Sequence, residues 1–289
     1  MPCSKKSRSR RPKSLSHSRI PTLKAKSTGL SSKATRNLIR SHHRLMKQRA
    51  QALNSGNQSL VNDIDKQIQE NGGLESYQLA SKLGQSSDRG GDSSKVLIDW
   101  IGATLGQFKN TSAKLRLLEV GALSTRNACS LVQSLDVTRI DLNSQEAGIQ
   151  QQDFMERPIP QCESDRFHLI SLSLVLNYVP DATARGNMLT RCVSFLTNVL
   201  PPQAPTAFTP CVFLVLPVAC VDNSRYLTEA RLQEIMSSLG FLLKNSKKTN
   251  KLVYQLWEYH GNPSPKPFKK ELLSPGGSKN NFAIIVRRD

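Results

Sequence analysis

Residues 116–121 read RLLEVG, and residues 139–143 read RIDLN. An apolar run closing on Glu119-Val120-Gly121 predicts a buried parallel strand that turns sharply, and a second apolar strand then ends in Asp141. Glycine at such a turn lets backbone approach a ligand closely. The helix predicted to follow presents free N–H groups, and the later carboxylate can bind two ribose hydroxyls. Together the two stretches outline a site for a nucleotide-type cofactor.

A dinucleotide fingerprint would need G-x-G-x-x-G, whereas Gly121 is followed by Ala122, Leu123 and Ser124, so there is no glycine cradle for a pyrophosphate. A cofactor with a ribose and no phosphate fits better, and S-adenosylmethionine is such a molecule. Any buried strand can end in Glu-Val-Gly, so the remainder of the chain has to bear on the choice.

The chain has 289 residues and a net charge of +18, unevenly placed. Fifteen Lys and Arg fall between Lys5 and Arg49, no acid occurs before Asp63, and only +3 is left for everything after residue 49. Residues 1–35 are too polar to bury a core and are expected to be a disordered tail. Polyphosphate is the natural partner of such a tail, and KKSRSRRPK at residues 5–13 resembles a nuclear import patch. Cys3, Cys129, Cys162, Cys192, Cys211 and Cys220 include no C-x-x-C pair and read as buried hydrophobes in a reducing compartment, without a zinc site. No apolar stretch reaches membrane-spanning length and the N-terminus is too polar for a signal peptide, so a soluble intracellular protein is expected.

Residues 36–110 are predicted to be a helical region. Leu38, Ile39, Leu45, Met46 and Leu53 fall on one face of a first helix, and Leu60, Ile64 and Ile68 recur every four residues in a second that stops at Asn71-Gly72-Gly73. This is a helical hairpin with a basic first arm, where His42 and His43 read as solvated or phosphate-facing. A short helix is possible over 74–83, and Asp92 or Ser93 is placed to cap a helix presenting Val96, Leu97, Trp100, Ile101, Leu105 and Phe108 to a core.

Residues 111–289 alternate strand and helix. Strands are predicted at 115–120, 137–142, 149–151, 167–174, 211–216, 252–259 and 282–287, with helices at 125–135, 182–199 and 228–239. The last two strands have no crossover helix between them and should pair antiparallel. A seven-stranded, mostly parallel sheet with an antiparallel last strand resembles the Rossmann-like class I S-adenosylmethionine-dependent methyltransferases. EVG at 119–121, IDLN at 140–143, QDF at 152–154, SLVLNYVPD at 173–181 and LGF at 239–241 carry that resemblance.

The likeness narrows further. TRNLIRSHHRLMK, GGLESYQLAS, LLEVGALS, IDLNSQ, QQDFMERP, LPVACVDNSRY and the terminal NNFAIIVRRD resemble the fungal large-subunit ribosomal RNA adenine-N(1) methyltransferases from about residue 35 onward. A related animal branch resembles a sensor of S-adenosylmethionine acting through protein partners, so cofactor binding alone does not establish catalysis. Methylation of protein or a small molecule is a third reading; the basic tail favours RNA. The resemblance implies a nuclear, nucleolar enzyme acting on large-subunit ribosomal RNA in pre-ribosomal particles.

For the cofactor, Gly121 lets the methionine part lie against backbone, and Glu119 either holds the strand end or receives the ammonium through water. Asp141 accepts from the ribose, Asp153 either accepts from the adenine amine or is an ordinary loop acid, and the Phe154 N–H donates to the ring. Gln85, Arg89 and Lys95 either reach the methionine carboxylate or lie on the surface. At the substrate side, Asn177 is expected to hydrogen-bond the target adenine and Tyr178 to stack on it or to pack in the core, with Asp181 capping the next helix. Asn223, Arg225 and Tyr226 either grip RNA or form a turn. His168, inside a strand, reads as packing.

Overall fold

Apolar side chains at successive positions give each central strand two buried faces, so helices have to cover both. In the computed structural model, which describes residues 31–287 apart from 85–90, 145 and 265, seven strands form one sheet. They are β1 (Leu115–Val120), β2 (Leu135–Asp141), β3 (Gln150–Gln151), β4 (Leu169–Ser173), β5 (Cys211–Pro217), β6 (Phe241–Lys248) and β7 (Leu252–Tyr259), in the spatial order β3-β2-β1-β4-β5-β7-β6. β1 to β5 are parallel, while β7 runs antiparallel to both β5 and β6. The expected tail, apart from its last five residues, and Gln85 and Arg89 lie outside the described residues.

On one face, Leu118, Val120, Ile170, Leu172, Val212 and Leu214 pack under α5 (Ala182–Phe195) and α7 (Glu229–Ser238). On the other, Leu115, Leu117, Leu169 and Phe213 pack under α4 (Ser94–Phe108) through Leu97, Ile101, Leu105 and Phe108. A short α6 (Ala219–Asp222) follows β5. Asp181 caps α5, accepting from the N–H groups of Thr183 and Ala184 at 2.9 Å, as the sequence suggests.

Three expectations are corrected. No α-helix follows β1: a 3-10 turn at Ala128–Leu131 stands where residues 125–135 were predicted helical. Side chains capture the N–H groups there, with Asp92 Oδ2 accepting from Ala128, Ser94 Oγ from Cys129 and Glu146 Oε1 from Thr125. The helix predicted to run to residue 199 ends at Phe195, before the chain turns back to β5. The seventh strand is Phe241–Lys248 rather than 282–287. β6 alternates poorly because most of it is exposed, whereas residues 282–287 contribute only an isolated bridge, Phe268 to Val286, and lie against α5, where a Cβ on Gly186 would meet the Ile285 carbonyl oxygen at 1.9 Å.

The N-terminal region is three helices, α1 (Ser32–Asn54), α2 (Gln58–Glu70) and α3 (Gly73–Gly84), so α1 begins within the stretch expected to be tail. Leu45, Ala52, Val61, Ile64 and Ile68 form their core, while Met46, Leu53 and Leu60 are exposed, contrary to the face drawn from the sequence. Burial of Cys129, Cys192, Cys211 and Cys220 matches expectation, but Cys162 is exposed. Among the described residues, no helix is long and apolar enough to cross a membrane, and no group of three or more His, Cys, Asp or Glu could hold a metal ion.

Candidate active site

Strand register brings the two motif ends together. Val120 pairs with both Ile140 and Leu172, so Gly121, Asp141 and Ser173 fall in one row at the carboxyl edge. β1 lies between β2 and β4, the point where strand order reverses and an open parallel sheet leaves a crevice. Gly121 takes φ +74°, and its N–H and that of Ala122 both donate to the Ile140 carbonyl, at 2.8 and 3.1 Å. An added Cβ would stand 2.8 Å from Val175 Cγ2, so glycine is required here on two counts.

Glu119 braces the loop that follows β1. The Asn127 amide donates to its Oε1 at 2.6 Å and the Cys129 thiol to its Oε2 at 3.7 Å. Burial, with a smaller push from the Asp92 carboxylate, raises its pKa from 4.5 to about 7. A protonated Glu119 therefore favours the fold. That contribution is complete below about pH 4.5 and is lost as pH rises through about 7. Glu119→Gln, neutral throughout and still able to accept from Asn127, is expected to match wild type near pH 4 and to exceed it by about 3 kcal/mol at pH 8 in urea unfolding. Parallel stability curves for the two proteins would refute this.

Asp141 ends β2 half-buried, its Oδ1 accepting from the Asn143 N–H at 2.9 Å, and burial raises its pKa against a weaker opposing pull from Lys82. The adjoining Leu142 is 67% exposed, leaving an apolar wall free beside the carboxylate. Loop 141–143 is held from outside by Gln78 of α3, whose amide donates to the Asn143 carbonyl at 2.5 Å and accepts from the Asn143 side chain at 2.9 Å. Asp153 lies just beyond β3 and uses Oδ1 to accept from the Met155 N–H at 2.7 Å, so it also shapes its own turn. The Phe154 ring is core, 5.3 Å from Phe195. Lys95 is exposed in the first turn of α4.

β4 ends at Ser173, whose hydroxyl meets that of Ser93 at 2.6 Å, and Leu174 then adopts φ +57°. That left-handed turn, costly for leucine, redirects residues 175–178 over the crevice. Val175 meets Gly121, and Asn177 Oδ1 is buried without a hydrogen-bond partner. Tyr178 contacts His43 edge-on at 4.0 Å and Tyr77 at 5.4 Å, while His42 stacks on Tyr77 at 4.4 Å. Burial raises the Tyr178 pKa, keeping it a neutral phenol.

At the substrate side, Asn223 and Arg225 form a turn. Arg225 spends its guanidinium on the Gly276 and Gly277 carbonyls and on Asn281 Oδ1, and the Asn223 carbonyl accepts from Asn280 N. Both belong to a turn tied to the C-terminal segment through Ser224. Tyr226 remains half-exposed with Lys270 Nζ 4.4 Å from its ring centroid. His42 and His43, expected to be solvated or phosphate-facing, are instead half-buried in the aromatic cluster. His168 is fully buried, its Nδ1 accepting from Arg116 N, as packing requires. Sequence reasoning missed Gln78, Tyr77, Asp92 and Leu142. Asp92 and Gln78 lie in stretches noted for other reasons, and nothing in their spacing pairs them with loops 36 and 65 residues away.

A model for the family described as 25S rRNA (adenine(2142)-N(1))-methyltransferase, Bmt2, matches residues 62–284. The 25S rRNA (adenine(2142)-N(1))-methyltransferase of Saccharomyces cerevisiae is 42% identical over 233 residues, which is 79% of this chain and 64% of that protein. The 25S rRNA adenine-N(1) methyltransferase of Schizosaccharomyces pombe is 38% identical over 253 residues, 86% of this chain and 89% of that one. Among solved structures, magnesium protoporphyrin IX methyltransferase from Synechocystis PCC 6803 with bound SAM aligns at 11% identity and TM-score 0.40, over 58% of this chain and 78% of that one.

Proposed function

Because the chain belongs to the Bmt2 family of 25S rRNA (adenine(2142)-N(1))-methyltransferases, we propose that it methylates N1 of an adenine in large-subunit ribosomal RNA, with S-adenosylmethionine as methyl donor. The observation that carries this reading is the row at the carboxyl edge: Gly121 and Asp141 on one side, and the unpartnered Asn177 Oδ1 on the other. The residues present fit the cofactor. Gly121 offers backbone with no side chain, Asp141 a half-buried carboxylate for ribose hydroxyls, and Leu142 an exposed apolar surface for a purine, while Glu119 braces the loop that follows Gly121.

When bound there, the cofactor supplies a methyl whose bond to sulfur breaks as its bond to N1 forms, the electron pair staying on sulfur. Adenine N1 already carries its lone pair at neutral pH, so the protein needs no general base and contributes chiefly position. N1 is also the Watson–Crick acceptor, so the base has to be unpaired to react. Positive charge then spreads over N1, C6 and N6. Asn177 Oδ1, accepting from N6, binds that charge more tightly than it binds the neutral base.

Charge supports an RNA partner. Arg40 and Arg44 of α1 are exposed, and the Lys47 pKa is lowered, first by partial burial and then by the nearby charges of Arg185 and Lys270. With the basic residues 1–30 this gives a polycationic approach, which supports ribosomal RNA in pre-ribosomal particles as the partner and a nucleolar location.

The test is transfer of labelled methyl to unmodified large-subunit ribosomal RNA, followed by digestion to nucleosides. Label in 1-methyladenosine is expected, and removal of residues 1–30 should weaken RNA binding most at low salt. No label from a protein that binds the cofactor would put the sensor reading in its place.

A further inference from the structure

Three buried side-chain polar atoms among the described residues lack a hydrogen-bond partner: His43 Nε2, Ser81 Oγ and Asn177 Oδ1. They are not scattered. His43 on α1 meets Tyr178, Asn177 immediately precedes Tyr178, and Ser81 lies one helical turn after Tyr77, which itself contacts both Tyr178 and His43. Desolvating a polar atom without a partner is unfavourable, and native interiors contain few such atoms. Three at one seam, between the N-terminal helices and the loop after β4, leave hydrogen-bonding groups there that a polar guest could satisfy.

We propose that this seam is the target-base site and that His43, contributed by the N-terminal helix, reads the adenine together with Asn177. The inference rests on the methyltransferase reading above and assigns it a specificity-determining residue from α1, a helix that lies before the stretch matched by the family model. N1 has to stay free for the methyl, so recognition falls to the other edge of the ring, where N6 donates and N7 accepts. Asn177 Oδ1 accepts from N6. His43 Nε2–H donates to N7, while the Tyr178 and Tyr77 rings supply stacking surface.

A neutral imidazole suits this role, because an imidazolium would repel the cationic 1-methyladenine as it forms. Burial, helped by His42, lowers the His43 pKa to about 4, so the ring is uncharged at working pH. With both atoms enclosed, α1 and α3 have to part from Tyr178 for the base to enter, and their contact there is aromatic rather than hydrogen-bonded.

The experiment compares wild type, His43→Phe and His43→Gln on transcripts of the large-subunit RNA carrying adenosine or 7-deazaadenosine, with cofactor affinity measured separately by calorimetry. His43→Phe is expected to lose about 30-fold in kcat/KM for RNA with unchanged cofactor affinity, and His43→Gln, which keeps a donor, to recover most of it. Wild type should slow about 10-fold on the 7-deaza transcript while His43→Phe does not distinguish the two. Full activity in His43→Phe, or an equal response of both proteins to 7-deazaadenosine, overturns the proposal even if wild type makes 1-methyladenosine. A wild type that binds cofactor and methylates neither transcript overturns the methyltransferase reading, and the inference with it.

Discussion

Asp141→Ala is expected to lose S-adenosylmethionine affinity by a factor of 100 or more while remaining folded. The carboxylate is half-buried at the end of β2, and burial has already raised its pKa, so the ionised form is short of donors. One oxygen holds the Asn143 N–H at 2.9 Å. Two ribose hydroxyls would supply the missing donors as charge-assisted bonds, each worth about 1.5–3 kcal/mol, and losing both gives the stated factor. Asp141→Asn keeps an acceptor for Asn143 and should fall between the two. Affinity should also weaken on acidification sooner than an ordinary aspartate would allow, because the ionised form is the one that binds. Calorimetric titration with S-adenosylmethionine or S-adenosylhomocysteine checks all of this without any RNA. Unchanged affinity in Asp141→Ala would remove the cofactor site from the carboxyl edge of β2.

Much of this site was readable before any coordinates. Parallel strands buried on both faces produce the largely apolar runs that mark β1, β4 and β5, β2 ends its more mixed run on Asp141, and the carboxyl ends of these strands then place Gly121, Asp141 and Asn177 with no further information. What was not readable has physical reasons. β6 is an edge strand with mostly exposed side chains, so FLLKNSKK carries almost no alternation, while the more apolar residues 282–287 lie beside α5 and form one isolated bridge, Val286 to Phe268. The helix expected after β1 is replaced because Asp92, Ser94 and Glu146 bind its N–H groups from a distance, a contest that local periodicity does not record. Arg225 reads equally as a phosphate ligand or a turn residue by position, and only the folded C-terminal segment shows it bonded to Gly276, Gly277 and Asn281. His43 was the costliest misreading: on a basic arm it looks solvated, and the ring contacts that bury it come from α3 and the loop after β4.

Asn177→Ala is expected to separate stability from catalysis. Its Oδ1 is buried with no partner, so replacing the amide by a methyl removes an uncompensated desolvation and should leave thermal stability unchanged or raise it by about 1 kcal/mol. Cofactor affinity should stay within about twofold, because Asp141 and Gly121 are untouched. Turnover should fall about 100-fold, since the acceptor for N6 strengthens as N1 becomes cationic, and its loss is felt mainly in the transition state. A purely structural asparagine predicts the opposite: lower stability, with any loss of rate tracking the fraction unfolded. Measured together, melting temperature, cofactor titration and single-turnover methyl transfer discriminate these outcomes. A variant that is destabilised but fully active once folded would show Asn177 to be packing. A stable, cofactor-loaded and slow one would tie the left-handed turn at Leu174, which carries the chain over the crevice, to placement of that single oxygen.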